Sequence, residues 1–227
     1  MEIVNVQNLS KVYGKGENQV RALTNASFSM EKGEFAAVVG ESGSGKSTLL
    51  NCIGGLDVPT EGKVFLNQED IFSLSEKKRT IFRRKNIGFI FQAFHLVEEL
   101  SVEQNIIFPL LLDYQKPDME KVDELLNVLG LYERRKHLPC QLSGGQQQRV
   151  AIGRALITQP ILILADEPTG NLDSANSRDV MELLMKASRQ YQQTILMITH
   201  NRNLTTDVDR VLRVTDGHLM DMGGKRA

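Results

Sequence analysis

The stretch 34-EFAAVVGESGSGKSTLL-50 joins an apolar run to a glycine-rich loop and then to an apolar-patterned segment. Loop 40–47 fits G-x-x-x-x-G-K-[ST] in full, between a strand candidate and a helix candidate, which is the context that motif requires. The run 34–39, β-branched at its end, predicts a strand buried on both faces of a parallel sheet; a helix is predicted over 46–55. Gly40, Gly43 and Gly45 allow a tight loop whose backbone N–H groups converge on phosphate oxygens, and the following helix adds its positive dipole end. Glu41, Ser42 and Ser44 complete the cradle. In such a loop Lys46 places a point charge on the β- and γ-phosphates, Ser47 offers a hydroxyl to Mg²⁺, and Thr48 reaches the α-phosphate.

The remainder of the chain is read outward from this loop. The 227 residues are 41% hydrophobic and 24% charged with a net charge of −1, so bulk electrostatics give no reason to expect a nucleic-acid partner. The densest basic stretch, 77-KKRTIFRRK-85, carries its charge at helical spacing and reads as a solvated helix face. Cys52 and Cys140 lack both metal-type spacing and the numbers for a disulfide framework, so reduced thiols are expected. The opening 1-MEIVNVQNLSKVYG-14 is strand-like and unlike a secretory signal. Apolar runs such as 106-IIFPLLL-112 fall well short of the roughly 20 residues that span a bilayer. Work at a membrane would need another chain to supply the spans.

Strand candidates lie at 2–9, 21–30, 34–40, 63–67 and 87–92. From about 101 the pattern changes to helices at 101–112, 118–129 and 145–158, with no strand candidate between them. Alternation then resumes with a strand at 161–166, a helix at 174–190, a strand at 194–199 and a terminal pair at 210–215 and 218–222; 223–227 has the composition of a frayed tail. One α/β domain is expected, with a core of about 1–92 and 159–227 and a mainly helical subdomain of about 93–158.

Further polar residues close the buried strands. The run 161-ILILADE-167 ends in two carboxylates: Asp166 suits the Mg²⁺ shell, and Glu167, just beyond the strand, suits a general base for water attacking the γ-phosphate. Strand 194–199 is followed by His200, placed for a γ-phosphate contact, and strand 87–92 closes in Gln92, placed to hold Mg²⁺ or the attacking water.

A second glycine-rich helix start, 141-QLSGGQQQRVAIGRAL-156, poses a question, because one nucleotide needs one cradle. Here Ser143, Gly144, Gly145 and Gln146 present hydroxyl and backbone donors at a helix N-terminus. Together these segments resemble the ATP-binding cassette (ABC) ATPases over nearly the whole chain: the Walker A loop 40–48, the Gln loop at Gln92, the signature 142-LSGGQ-146, the Walker B strand ending in Asp166–Glu167, the D-loop 171-NLD-173 and the switch His200. The resemblance implies a P-loop NTPase fold with a RecA-like core sheet, an N-terminal antiparallel β subdomain and a helical insert. It also implies two copies packed head to tail, each ATP–Mg²⁺ held between the Walker A of one copy and the signature of the other. Tyr13 would then stack on adenine with Val20 as an apolar neighbour, and Asp173 would sit at the dimer interface.

Within that superfamily, 54-GGLDVPTEGKV-64, 88-GFIFQAFHL-96, 163-ILADEPTGNLDS-174 and 216-DGHL-219 are similar to the macrolide-export and lipoprotein-release (MacB/LolD-type) group. This similarity implies a separate membrane permease as partner, a place at the cytoplasmic face of the membrane, and export, lipoprotein release or mechanical transmission as the work done. Two positions depart from relatives: His95 stands where Asn is more usual, and Gly153 where Ala is. Residues 93–100 would form part of a groove for a short permease helix, using Phe94, Leu96, Val97 and Leu100, each of which equally suits packing into the helical subdomain. A stand-alone small-molecule kinase would use 40–48 but leave 142–146 and His200 without work. DNA-repair and translation-type ABC ATPases carry a long coiled-coil insert or two cassettes in one chain, neither of which is present. An importer ATPase shares the site motifs, and the transported substrate is not encoded in the chain.

Overall fold

The computed structural model describes residues 1–224; the side chains of Glu17 and Arg202 are outside the description. The chain opens with β1 (Glu2–Tyr13), β2 (Val20–Glu31) and β3 (Phe35–Val39), followed by α1 (Lys46–Ile53), β4 (Glu61–Leu66), β5 (Glu69–Asp70), α2 (Glu76–Asn86) and β6 (Ile87–Phe91). Helices α3 (Val102–Leu112), α4 (Met119–Val128) and α5 (Gly144–Leu156) come next. The chain closes with β7 (Leu162–Asp166), α6 (Ser174–Tyr191), β8 (Ile195–Ile198), β9 (Arg210–Thr215) and β10 (His218–Gly224). Gly223 and Gly224 continue the last strand rather than fraying, and the rest of the expected tail lies outside the described residues. The helix expected over 46–55 stops at Ile53, because Gly54 closes it onto the Leu50 carbonyl and Gly55 turns to φ +63°.

Two sheets form. One is antiparallel, in the order β2-β1-β4-β5; the other runs β10-β9-β3-β8-β7-β6, parallel throughout except for the β10/β9 pair. Side chains alternate across the parallel sheet and divide the core in two. Ala36, Val38, Leu162, Leu164, Leu196 and Ile198 face α1 and the antiparallel sheet. Ala37, Ile163, Ala165, Ile195 and Met197 join the apolar residues of α3 to α6 on the other face. Both faces are covered, which is why β3, β7 and β8 read as continuous apolar runs.

Register places the functional edge. Phe91 pairs with Asp166, and Asp166 with Ile198, so Gln92, Glu167 and Thr199 follow at one level beyond the carboxyl ends of β6, β7 and β8. The loop after β3 opens at the same edge, which is where ligands bind in open α/β sheets.

Two local readings change. Helix α2 has no buried residue, yet its basic side chains are not simply solvated: Arg83 donates to the Gly55 carbonyl at 2.7 Å, and Arg84 and Lys85 pair with Asp113 at 2.6 and 3.2 Å. Gly153 has a packing reason that propensity alone hides. A Cβ there would lie 2.6 Å from Leu129 Cδ1 and 3.1 Å from Ile106 Cδ1, so the glycine allows α3 and the end of α4 to close on α5.

Candidate nucleotide site

The loop after β3 is shaped by close approaches that exclude side chains. A Cβ on Gly40 would meet the Val214 carbonyl oxygen at 2.2 Å, and one on Gly45, at φ +110°, would meet the Ala22 carbonyl oxygen at 2.2 Å. The loop borders a cleft of about 390 Å³ formed by Ser42, Gly43, Gly45, Lys46, Ser47 and Thr48, with Glu167 and His200 on the facing side. Gly40, Glu41 and Ser44 border the adjoining cavity, again with His200. Lys46 is buried with its ammonium donating to the Glu41 carbonyl at 2.6 Å, and the Ser44 hydroxyl is buried without a partner. Buried polar groups are rarely left unpaired, so this hydroxyl and the N–H groups around it are suited to an incoming oxygen-rich ligand.

The acids stand across the cleft. Burial pushes the Asp166 carboxyl above the usual range and the Glu167 charge adds to the rise, while the nearby Ser47 hydroxyl and Lys46 charge oppose it. Glu167 adopts φ +46°, unusual for a non-glycine residue, with its N–H held by the Ile198 carbonyl at 3.0 Å. Its carboxylate lies 2.7 Å from His200 Nδ1. A strained residue pinned at a strand end and paired with an exposed histidine is typical of sites where geometry serves chemistry.

Gln92 is placed differently from the sequence expectation. Its amide does not border the cleft; it donates to Asn171 Oδ1 at 2.9 Å, and Asn171 Nδ2 donates back to the Gln92 carbonyl at 3.1 Å. The structure thus joins the Gln loop to the D-loop. Asp173 caps α6, accepting from the N–H groups of Ala175 and Asn176 at 3.0 and 2.8 Å and from the Asn176 amide at 2.7 Å; these bonds hold its carboxyl below the usual range.

Ser143, Gly144, Gly145 and Gln146 start α5 and do not border the cleft. A capping box forms here: Gln146 N–H donates to Ser143 Oγ at 3.3 Å, and Ser143 N–H to Gln146 Oε1 at 2.9 Å. The Ser143 oxygen accepts in this arrangement, which leaves its hydroxyl hydrogen to donate outward. Gly145 is buried against α6, and a Cβ on it would lie 2.2 Å from Asn176 Oδ1. Asn176 therefore touches both the D-loop cap and the signature.

Tyr13 and Val20 are exposed, at 40% and 61%; burial raises the Tyr13 phenol above its usual range, and the nearby Thr48 hydroxyl opposes that rise. In the segment after Gln92, Phe94, Leu96, Val97 and Leu100 are half-buried. Its carbonyls are held from the helices: Arg154 donates to those of Phe94 and His95, and buried Asn105 donates to those of Val97, Leu100 and Ser101. His95 sits at φ +49°, a region enriched in His and Asn, which accounts for either residue at this position.

Asn171, Asn176, Arg154 and Asn105 are the polar contributors that sequence reading did not single out as contacts. Asn171 and Arg154 reach partners 79 and 59 residues away, which no spacing signals, whereas Asn176 and Asn105 bond residues three to eight positions away.

These features recur in known proteins. The chain matches the ABC transporter family over residues 23–170. The lipoprotein-releasing system ATP-binding protein LolD of Psychrobacter arcticus is 44% identical over 219 residues, 95% of this chain and 97% of that protein. The macrolide export ATP-binding/permease protein MacB of Chlorobaculum tepidum is 43% identical over 221 residues, 96% of this chain and 34% of that longer protein. Among solved structures, the ATP-binding cassette MJ0796, in a dimeric post-hydrolysis state bound to ADP and Pi, has a TM-score of 0.86 at 39% identity, covering 98% of this chain and 100% of that one. With its strand-edge carboxylates, phosphate loop and separate LSGGQ helix start, the chain belongs to the ABC transporter family and is an ATP-binding ATPase subunit similar to LolD and the cassette of MacB.

Proposed function

We propose that two copies of this chain close on two ATP–Mg²⁺ molecules, hydrolyse them, and so drive a shape change in a separate membrane permease. The observation that carries this reading is the split cradle: loop 40–48 forms the cleft with Glu167 and His200, while the donors of Ser143 to Gln146 stand elsewhere on the same chain. A head-to-tail partner brings that second set of donors to the nucleotide, and the dimeric state of MJ0796 supports the arrangement.

Within each half, Lys46 exchanges the Glu41 carbonyl for phosphate oxygens, and the loop N–H groups receive the rest of the charge. His200 turns from Glu167 to the γ-phosphate, freeing the carboxylate to take the proton of the attacking water as it bonds to phosphorus and ADP leaves. The Ser47 hydroxyl, the Asp166 carboxylate and the Gln92 amide are all hard oxygen donors, a set that fits Mg²⁺ shared with substrate phosphates. When bound, Mg²⁺ supplies neutralisation of charge on the phosphates. Gln92 must leave Asn171 to join that set, which would tie nucleotide binding to movement of residues 93–100. Residues of about 93–158 would then shift as a helical subdomain against the core of about 1–92 and 159–227.

No helix among the described residues is long and apolar enough to cross a membrane; in this reading a separate permease supplies the spans and the chain works at its cytoplasmic face. LolD and MacB, whose names speak of lipoprotein release and macrolide export, support export or mechanical release as the work done. Because each site draws on two chains, ATPase activity per chain is expected to rise with concentration until dimers saturate. A rate per chain that stays constant across dilution would show a site complete within one copy and overturn this reading.

A further inference from the structure

The base end of the site contains a polar network that the phosphate chemistry does not use. Asp57, in the loop after α1, accepts from the Tyr13 hydroxyl at 2.6 Å through one oxygen and from the Lys11 ammonium at 2.6 Å through the other. Lys11 also donates to the Val58 carbonyl at 2.7 Å, and its ammonium lies 4.8 Å from the centre of the Tyr13 ring. Thr48, in the first turn of the helix after the phosphate loop, lies close enough to the same phenol to influence its proton.

We propose that Asp57 and Lys11 are positioning residues that hold the Tyr13 ring as a fixed stacking platform for the nucleotide base. This rests on reading Tyr13 as the base platform. The ion pair is largely covered, with side-chain exposures of 12% for Lys11 and 29% for Asp57, whereas Tyr13 itself is 40% exposed. A covered pair anchoring an exposed ring has the form of a mount and its working surface. The Lys11 ammonium lies over the ring, 4.8 Å from its centre, and the 40% exposure of Tyr13 leaves ring surface for a base. Burial alone would raise the Asp57 carboxyl, but the bonds from Lys11 and Tyr13 outweigh it and hold the group below the usual range, so the mount stays charged at neutral pH. A free surface tyrosine would lose rotamer freedom on stacking; a ring already fixed at its hydroxyl has lost it beforehand, and that difference goes into affinity. Stacking on a flat face tolerates any base, so the device strengthens nucleotide binding without selecting adenine.

The test measures binding of ATP, GTP and inorganic tripolyphosphate to the full chain carrying Tyr13→Phe, Asp57→Ala, both changes together, or Tyr13→Ala. Tyr13→Phe and Asp57→Ala are each expected to weaken ATP and GTP about three- to tenfold. The double variant should be no weaker than the weaker single, because both remove the same anchor. Tripolyphosphate, which has no base, should bind all variants as it binds the native chain. Native-like ATP affinity in Tyr13→Phe, or an equal loss for tripolyphosphate in Asp57→Ala, would overturn the proposal. The platform reading fails separately: native-like ATP binding in Tyr13→Ala would overturn it, whereas loss in Tyr13→Ala without loss in Asp57→Ala would overturn only the mount.

Discussion

Glu167→Gln is expected to lower ATP turnover about 10²- to 10⁴-fold, the range that general-base catalysis supplies, while leaving ATP bound. The backbone of Glu167 is fixed by its N–H bond to Ile198 and by φ +46°, so substitution by a residue of the same shape leaves the cleft wall in place. The amide keeps a hydrogen bond to His200 within reach, where the carboxylate now sits 2.7 Å away, but it cannot take a proton from water. Single-turnover measurement of phosphate release checks this directly. Turnover at the native rate would show that Glu167 is a strand-end acid and not the base. Binding should survive because the residues that cradle phosphate, Lys46 and the loop glycines, belong to a different element.

Ser143→Arg is expected to lower turnover at least about 100-fold, the scale of losing a preorganised donor to developing charge, while the chain's own loop 40–48 still binds ATP. Its effect on the fold is small by comparison. Loss of the cap formed by Ser143 Oγ and Gln146 N–H costs about 1 kcal/mol, too little to unfold a domain with two packed apolar clusters. Ser143→Ala separates the contributions: it removes hydroxyl and cap without adding bulk, so it should lose turnover while still permitting closure, whereas Arg prevents closure. Equal ATPase rates for Ser143→Arg and the native chain would show that the start of α5 faces no nucleotide. Gly145 makes the position more exacting, because Asn176 packs where its side chain would be.

Much of the core was legible in the sequence because its signals are local. The runs that became β3, β7 and β8 are apolar up to the sheet edge because both sheet faces are covered, and Asp166 at the end of β7 and Thr199 after β8 mark that edge. The phosphate loop is similarly local: Gly40 and Gly45 approach the carbonyls of Val214 and Ala22 within distances that only glycine permits. What escaped reading is set by tertiary contact. Gln92 and Asn171 are 79 residues apart, and neither residue alone indicates the other. The Lys11–Asp57 pair spans 46 residues and joins a strand to a loop. Helix α2 buries nothing, so its charge pattern gave a helix face but not the Arg84 bond to Asp113 at the end of α3. Gly153 stands where Ala would favour the helix, and only the nearness of Leu129 and Ile106 shows what its missing side chain allows.

The measurement that bears most directly on the split cradle is sedimentation of the Glu167→Gln chain with and without ATP–Mg²⁺. Slowed hydrolysis keeps ATP in place, and shared phosphate contacts favour the closed pair over the open one, so the chain should shift from monomer to dimer only when ATP–Mg²⁺ is present. A chain that remains monomeric at high concentration with ATP bound would contradict the claim that Ser143 to Gln146 receive a partner's nucleotide.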